Sequence, residues 1–502
     1  MKMQKTMVTC LSGLCLFVAG CSDGGVSSST EPAIESVSIQ VEGYEFGPAV
    51  SQVLVKLDKA ITEVSTESLK VTTASVDRDI KSVYLADEKG NEVSSGESQY
   101  VGIDLGIAYS FEKPETNASP FIFSFETFQN NWSETYPVAI EGLEVTNGAG
   151  TVVLEKEGDF INQRFSKDTE RFTIREEFSG NYLNEITGQK EEVTLHYTAY
   201  QPDSLAGKSK NPLIIWLHGQ GEGGTDTDIT LLGNEVVALA REEIQSYFSS
   251  EDQTGAYVLA VQTPTYWMDE GDGTNGQGAG VSRYTEALMD AIKAYVATNE
   301  DIDKNRIYLA GCSNGGYMTL NLALHNPDYF AALVPQAAAY SYYDYEKNLD
   351  GTYKIVENAE SLSGFAPVRK DTIWFNQEKI ETIKHLPMWF IHSADDTIVK
   401  PENYALPVYK ALLDSGADNK WFSYYETVEG IDLPGTSYLG HWSWIYFFNN
   451  QVEGVQDISA IKGASDLSGF KPNNSERGGS SKASNKGKTY TNLFEWLNDQ
   501  HK

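Results

Sequence analysis

The chain has 502 residues, 40% hydrophobic and 22% charged. That globular composition excludes collagen, coiled coil and wholesale disorder, and the length predicts two to three domains. Lys and Arg total 38 against 71 Asp and Glu, a formal net charge of −33. This excludes nucleic acid as a partner, because phosphate binding needs concentrated positive charge.

The first five residues, Met1-Lys2-Met3-Gln4-Lys5, carry positive charge and precede an apolar run from Met7 to Ala19. That is a signal-peptide n-region and h-region, too short to span a bilayer comfortably. The run ends Val18-Ala19-Gly20-Cys21, which resembles a bacterial lipobox. Residues 1–20 are therefore expected to be a lipoprotein signal peptide, with Cys21 the lipidation site and membrane anchor. A plain secretory signal or an anchor helix is the alternative. Residues 21–34, with Ser27-Ser28-Ser29-Thr30, read as a flexible tether. Ser22 after the acylated position resembles the outer-membrane sorting pattern, so the expected location is the bacterial cell envelope. Of Cys10, Cys15, Cys21 and Cys312, the mature chain would keep the last two, with Cys21 acylated and no internal disulfide expected.

From residue 35 to 170 the apolar pattern has period two. Val37-Ser38-Ile39-Gln40-Val41, Val101-Gly102-Ile103-Asp104-Leu105, Phe121-Ile122-Phe123-Ser124-Phe125 and Val138-Ala139-Ile140 carry it, with Gly, Asn and Asp turns between. Short strands at regular spacing predict a β-sandwich. The alternative is a β-rich extension of the next domain.

Residues 171–502 read differently. Leu213-Ile214-Ile215-Trp216-Leu217, Val258-Leu259-Ala260-Val261, Ile307-Tyr308-Leu309-Ala310 and Met388-Trp389-Phe390-Ile391 are nearly continuous apolar runs, typical of strands buried on both faces of a parallel sheet. Helical patterns at Thr285–Thr298, Tyr317–His325 and Tyr404–Ser415 alternate with them, which predicts a doubly wound α/β domain. Residues 463–488, rich in Ser, Gly, Asn and Lys, read as a loop or linker, and 489–502 as a terminal helix that docks back.

Gly311-Cys312-Ser313-Asn314-Gly315 matches G-x-S-x-G between a buried run and a helical pattern. In that context a sharp strand-to-helix turn lifts the serine hydroxyl above the sheet as a nucleophile. A serine nucleophile needs a base, an orienting acid and oxyanion donors. His218-Gly219-Gln220-Gly221 closes Leu213–Leu217, and the backbone N–H of Gln220, with Gly221 second, is the expected oxyanion donor beside that of Asn314. His218 precedes the serine and is expected to shape this loop. Asp396 lies four places after His392 and three before Val399 and is the expected acid, with Asp395 as competitor. His441, preceded by Gly440, is the expected base, because the other downstream histidine, His501, adjoins the C-terminus. His385 and His392 read as structural.

These motifs, with Leu217-His218-Gly219 and Gly440-His441, resemble those of bacterial α/β-hydrolases of the prolyl-oligopeptidase-like, dienelactone-hydrolase-like group. The layout is similar to esterases with an N-terminal immunoglobulin-like domain. The resemblance implies an α/β-hydrolase doubly wound sheet behind an immunoglobulin-like β-sandwich. It also implies ester hydrolysis through an acyl-enzyme on Ser313, His441 and Asp396, without cofactor. The expected partner is a small-molecule or polysaccharide-linked ester. Two readings compete: a serine peptidase, which would ordinarily carry a propeller of about 300 residues ahead of the hydrolase, and a surface binding protein. Trp267, Tyr340, Tyr342 and Tyr343 follow strand ends and are expected at the substrate rim, with packing inside an insertion as the alternative. Asp269-Glu270-Gly271-Asp272-Gly273-Thr274-Asn275-Gly276 fails the EF-hand spacing and reads as a loop rimming the site; no metal is expected.

Overall fold

The computed structural model describes residues 30–159, 163–203, 210–359 and 364–502. The signal segment and Cys21 lie outside the described residues. Among the described residues no helix is long and apolar enough to cross a membrane.

The N-terminal region forms two sheets. One runs Arg164–Phe165, Ile34–Tyr44, Gly47–Ile61, Ser98–Leu105, Ile80–Ala86. The other runs Gly150–Asp159, Pro137–Asn147, Lys70–Thr73, Val76–Asp77, with Glu63–Ser65 also paired to Pro137–Asn147. Alternation puts Val37, Ile39 and Val41 from the first sheet and Val138, Ile140 and Val145 from the second into one core, each no more than 1% exposed.

The expected sandwich strand at Phe121–Phe125 is a correction. Phe121–Ser124 pairs only with Gln129–Trp132, as a separate hairpin outside both sheets. Its alternation is real, but only Phe121 is buried, edge-on to Trp132 at 4.7 Å. The hairpin reaches across to the second domain, where the backbone N–H of Asn130 donates to the Gly221 carbonyl at 2.7 Å. Trp132 Nε1 donates to Asp226 Oδ2 at 2.8 Å, and Gln129 Nε2 to the Pro264 carbonyl at 3.0 Å.

The second domain is built on eight strands, numbered here within that sheet: β1 (Ile174–Asn184), β2 (Gln189–Tyr200), β3 (Asn211–Leu217), β4 (Tyr257–Gln262), β5 (Ile302–Cys312), β6 (Ala332–Gln336), β7 (Met388–Ser393) and β8 (Lys420–Tyr425). Their order is β1-β2-β4-β3-β5-β6-β7-β8. β1 and β2 pair antiparallel, as do β2 and β4, and every pairing from β4 to β8 is parallel. Helices Thr285–Thr298, Asn314–His325 and Ala405–Asp414 cover the sheet. This is the α/β-hydrolase sheet, and β3, β5 and β7 all end at the edge where sheets of this kind bind ligands.

Residues 463–488, expected as a loop or linker, include the 3-10 turn Leu467–Gly469 and the strand Ser484–Asn485, and they pack down on the hydrolase. Phe470 packs on Tyr409 and Phe422, and the Gly478 carbonyl accepts from Tyr424 N–H at 2.8 Å, covering the edge strand β8. The terminal helix, Leu493–Asn498, docks with Trp496 fully buried.

The two domains share one apolar cluster that runs from Val37 and Val41 through Leu232 and Val237 to Trp216. A polar seam surrounds it. The Glu45 carboxylate, 3% exposed, accepts from Ile431 N–H and Asp432 N–H and from Asn449 Nδ2. Burial raises the Glu45 pKa, although those hydrogen bonds oppose the shift. Glu45→Ala removes the acceptor from two backbone donors, and each buried donor left alone costs about 1–3 kcal/mol. The variant is expected to unfold several degrees below wild type in calorimetry; an unchanged melting temperature refutes the seam as a stabilising contact.

Glu222 lies under the loop that the hairpin clamps. Its Oε2 accepts from Asn234 Nδ2 at 2.8 Å, and burial pushes its carboxyl up to about 8. The folded state therefore holds a proton that the unfolded chain releases near its ordinary value of 4.5. Unfolding free energy from this group falls as pH rises from about 4.5 to about 8, then levels off, by an amount on the order of a few kcal/mol. Glu222→Gln is expected to remove that slope, read as the difference between denaturation curves of variant and wild type at pH 5 and pH 8. A difference independent of pH rules out the neutral carboxyl.

Candidate active site

β5 ends in the tight turn the motif requires. Ser313 has φ +52° and ψ −112°, a strained conformation for a non-glycine residue. The small residues around it are steric necessities. A Cβ on Gly315 would lie 2.0 Å from the Leu217 carbonyl oxygen, one on Gly311 would lie 2.6 Å from the Gly315 carbonyl, and one on Gly316 would lie 2.7 Å from Ala338 Cα. The Ser313 backbone is pinned on both sides: its N–H donates to the Gln336 carbonyl at 2.9 Å, and its carbonyl accepts from Ala339 N–H at 3.0 Å.

Ser313 Oγ lies 2.8 Å from His441 Nε2, and His441 Nδ1 lies 2.8 Å from Asp396 Oδ2. An ionised carboxylate only accepts, so Nδ1 carries the proton and Nε2 is left to accept from the serine hydroxyl. Asp396 sits in the loop after β7, 3% exposed. Its Oδ1 accepts from Ile398 N–H at 2.9 Å and Val399 N–H at 2.8 Å, and its Oδ2 also accepts from His392 Nε2 at 3.0 Å. Burial opposes its charge, but the adjacent His441 and the hydrogen bonds from His392 and His441 hold the carboxyl well below the usual carboxylate range. Asp395 is exposed, accepts from Ser393 Oγ, and packs against Gly440.

His218 shapes the loop after β3. Its Nε2 accepts from Thr263 N–H at 3.1 Å, so Nδ1 donates to the Gly219 carbonyl at 2.7 Å. Burial lowers its pKa to about 4, keeping the ring neutral. Asn314 opens the helix Asn314–His325, and its N–H is one of those a helix leaves without an internal partner. The two residues expected as oxyanion donors are joined through a third. Asn275 Nδ2 donates to Gln220 Oε1 at 3.1 Å, and Asn275 Oδ1 accepts from Asn314 Nδ2 at 2.7 Å. Asn314 Oδ1 in turn accepts from Met268 N–H at 3.1 Å.

The acidic, Gly-rich loop containing Asn275 is folded by its own carboxylate: Asp269 Oδ1 accepts from Gly271 N–H at 2.7 Å and Gly273 N–H at 3.0 Å. Two rim expectations are corrected. Trp267 is fully buried, beside the His218 ring at 5.3 Å, and Tyr340 is 2% exposed, stacked on Tyr317 at 5.6 Å. After β6 the chain turns inward, with Ala337 at φ +40°, which carries Tyr340 into the core; Trp267, after β4, is buried with it. Tyr342 and Tyr343 are half-buried and packed edge to face, with the Arg369 guanidinium 3.2 Å from the centre of the Tyr343 ring.

Sequence reasoning missed three contributors. His392 was readable from its spacing to Asp396. Asn275 carried no more signal than any polar residue of its loop. The clamp from Asn130 could not be found without the fold.

Residues 36–153 match the description of the esterase Ig-like N-terminal domain, and residues 266–428 that of the prolyl oligopeptidase family. A poly(3-hydroxybutyrate) depolymerase of Ralstonia pickettii is 28% identical over 141 residues, covering 28% of this chain and 27% of the relative. A poly(3-hydroxyalkanoate) depolymerase C of Paucimonas lemoignei is 39% identical over 71 residues, 14% of this chain and 16% of the relative. The chain thus spans about a quarter or less of the length of these curated relatives. The solved structure of a thermostable esterase superposes with a TM-score of 0.58 at 22% identity, covering 83% of this chain and 97% of that one, which establishes a shared fold. The chain therefore joins an immunoglobulin-like domain of the esterase type to an α/β-hydrolase domain of the prolyl-oligopeptidase-like group.

Proposed function

We propose that the protein is a serine esterase that cleaves carboxylic esters through an acyl-enzyme. The observation that carries this is the unbroken chain Ser313 Oγ, His441, Asp396, with 2.8 Å at each step, on a strained elbow. His441 takes the serine proton through Nε2 as Oγ attacks the ester carbonyl. Asp396 holds the tautomer and stabilises the imidazolium. The N–H groups of Asn314 and Gln220 receive the oxyanion, His441 returns the proton to the departing alcohol, and water attacks the acyl-enzyme by the same route. The match of residues 266–428 to the prolyl oligopeptidase family keeps a peptidase as the second reading. The two-sheet sandwich ahead of the hydrolase, in place of a propeller, favours the esterase. Ser313→Ala is expected to abolish labelling by a fluorophosphonate probe and to lower turnover of a chromogenic short-chain ester by several orders of magnitude. Undiminished labelling of the variant removes Ser313 from the mechanism, and hydrolysis of peptides but not esters by wild type selects the peptidase.

The sequence before residue 30 supports attachment to the cell envelope through acylated Cys21. Cys21→Ser is expected to move the protein out of the detergent phase on partitioning, because each buried lipid CH₂ contributes about 0.8 kcal/mol to anchoring. Equal partitioning of processed wild type and variant overturns the anchor.

A further inference from the structure

The hairpin Phe121–Trp132 leaves an apolar surface that the fold does not use. Ile122 is 57% exposed, Phe123 39%, Phe125 81% and Phe128 45%. The rings form a cluster, with Phe123 edge-on to Phe125 at 5.3 Å and to Phe128 at 6.2 Å. Phe128 has φ +51°, a left-handed conformation that Gly or Asn adopts cheaply and a bulky residue does not. Strain accepted in order to present an exposed ring points to use rather than packing.

The cluster adjoins the loop that carries Gln220 and Gly221. A Cβ on Gly221 would lie 3.9 Å from Phe123 Cε2 and 3.3 Å from Asn130 Nδ2. Gly221 follows Gln220, the proposed oxyanion donor, and Tyr266 OH donates to the Thr127 carbonyl at 2.6 Å, fixing the hairpin tip over the strand-end loop that carries Trp267.

We infer that Phe123, Phe125 and Phe128 form the platform on which the uncharged aliphatic chain of a water-insoluble ester lies while its carbonyl is held at Ser313. This rests on the esterase reading above. Phenylalanine has no polar edge to offer sugar hydroxyls, so the platform selects an apolar chain over a glycan. The only ionisable residue from Phe121 to Trp132 is Glu126, and the chain carries a net charge of −33. Neither an anionic lipid surface nor a second copy is electrostatically matched to it. A long acyl ester and an aliphatic polyester present the same chemistry here.

The test uses full-length protein and two readouts. Phe125→Ser and Phe128→Asn are expected to lower the ratio of kcat/KM for a decanoyl over an acetyl aryl ester by about tenfold each. The exposed control Val153→Ser, on the far edge of the sandwich, is expected to leave the ratio within twofold. Phe128→Asn relieves the strained turn, so its melting temperature should not fall. Separately, Ser313→Ala protein is expected to adsorb to an amorphous aliphatic polyester film, and addition of Phe125→Ser to release it. Adsorption to the film but no change in the chain-length ratio assigns the platform to polymer; the reverse assigns it to long acyl groups. Loss of neither property overturns the platform, as does binding to anionic phospholipid vesicles in place of film. If wild type hydrolyses no ester but film adsorption still depends on Phe125, the esterase reading fails and the platform stands.

Discussion

Gly315 lies so near the end of β3 that a methyl group on it would sit 2.0 Å from the Leu217 carbonyl and 2.5 Å from that of His218. This close approach of backbone to backbone fixes the nucleophile relative to the loop at residues 218–222, because β3 and β5 are neighbours in register, Leu217 opposite Gly311. The turn must then be sharp, and Ser313 takes the strained conformation that lifts Oγ toward the His441 loop. Asn314 follows at once, so its N–H opens a helix facing the same space. One steric constraint, set by glycine, thereby places the nucleophile and both proposed oxyanion donors. The Asn275 side chain, hydrogen-bonded to Gln220 and to Asn314, holds the gap between them.

Charge at the site is set by where hydrogen-bond donors are supplied. Asp396 and Glu222 are both buried carboxylic acids within the same domain. Asp396 accepts from two backbone N–H groups and two histidines and stays ionised. Glu222 accepts from Asn234 and, at 3.4 Å, from Asn130, and burial wins. Environments that push two carboxyls apart suit them to different tasks: in the proposed mechanism the charged Asp396 orients His441, while the neutral Glu222 supports the loop it underlies.

The sequence made the sheet and the hydrogen-bonded set of Ser313, His441 and Asp396 legible, and for physical reasons. Strands buried on both faces must be continuously apolar, so β3, β4, β5 and β7 announced themselves. The elbow needs small residues at fixed offsets, and chain order left His441 as the reasonable base. Asp396 was separated from Asp395 only by its spacing to His392 and Val399, and the reason became visible as hydrogen bonds from Val399 N–H and His392 Nε2. Aromatic residues misled. Trp267 and Tyr340 follow strand ends, where binding residues gather, yet the chain folds both rings inward. Phe121–Phe125 showed the same alternation as the sandwich strands, and nothing local distinguishes a strand facing a core from one facing solvent. Only the partner surface decides that, and here Ile122, Phe123 and Phe125 remain exposed while residues 129–132 of the same hairpin reach the second domain.

The two-domain arrangement follows from this. The sandwich touches the hydrolase at the loop of Gly221 and beside the loop of His441. Asn130 holds the loop of Gly221. On the other side Tyr109 packs against Tyr438 at 5.3 Å and Trp442 at 6.0 Å, bracketing His441 in the sequence, while Glu45 ties down Ile431 and Asp432. In α/β-hydrolases the sheet positions the nucleophile, but the base and the first oxyanion donor ride on loops, whose placement costs conformational entropy. A β-sandwich packed against both loops meets that cost on folding. The same contacts seat the hairpin of the N-terminal domain beside the Gly221 loop of the hydrolase, nearly a hundred positions later in the chain.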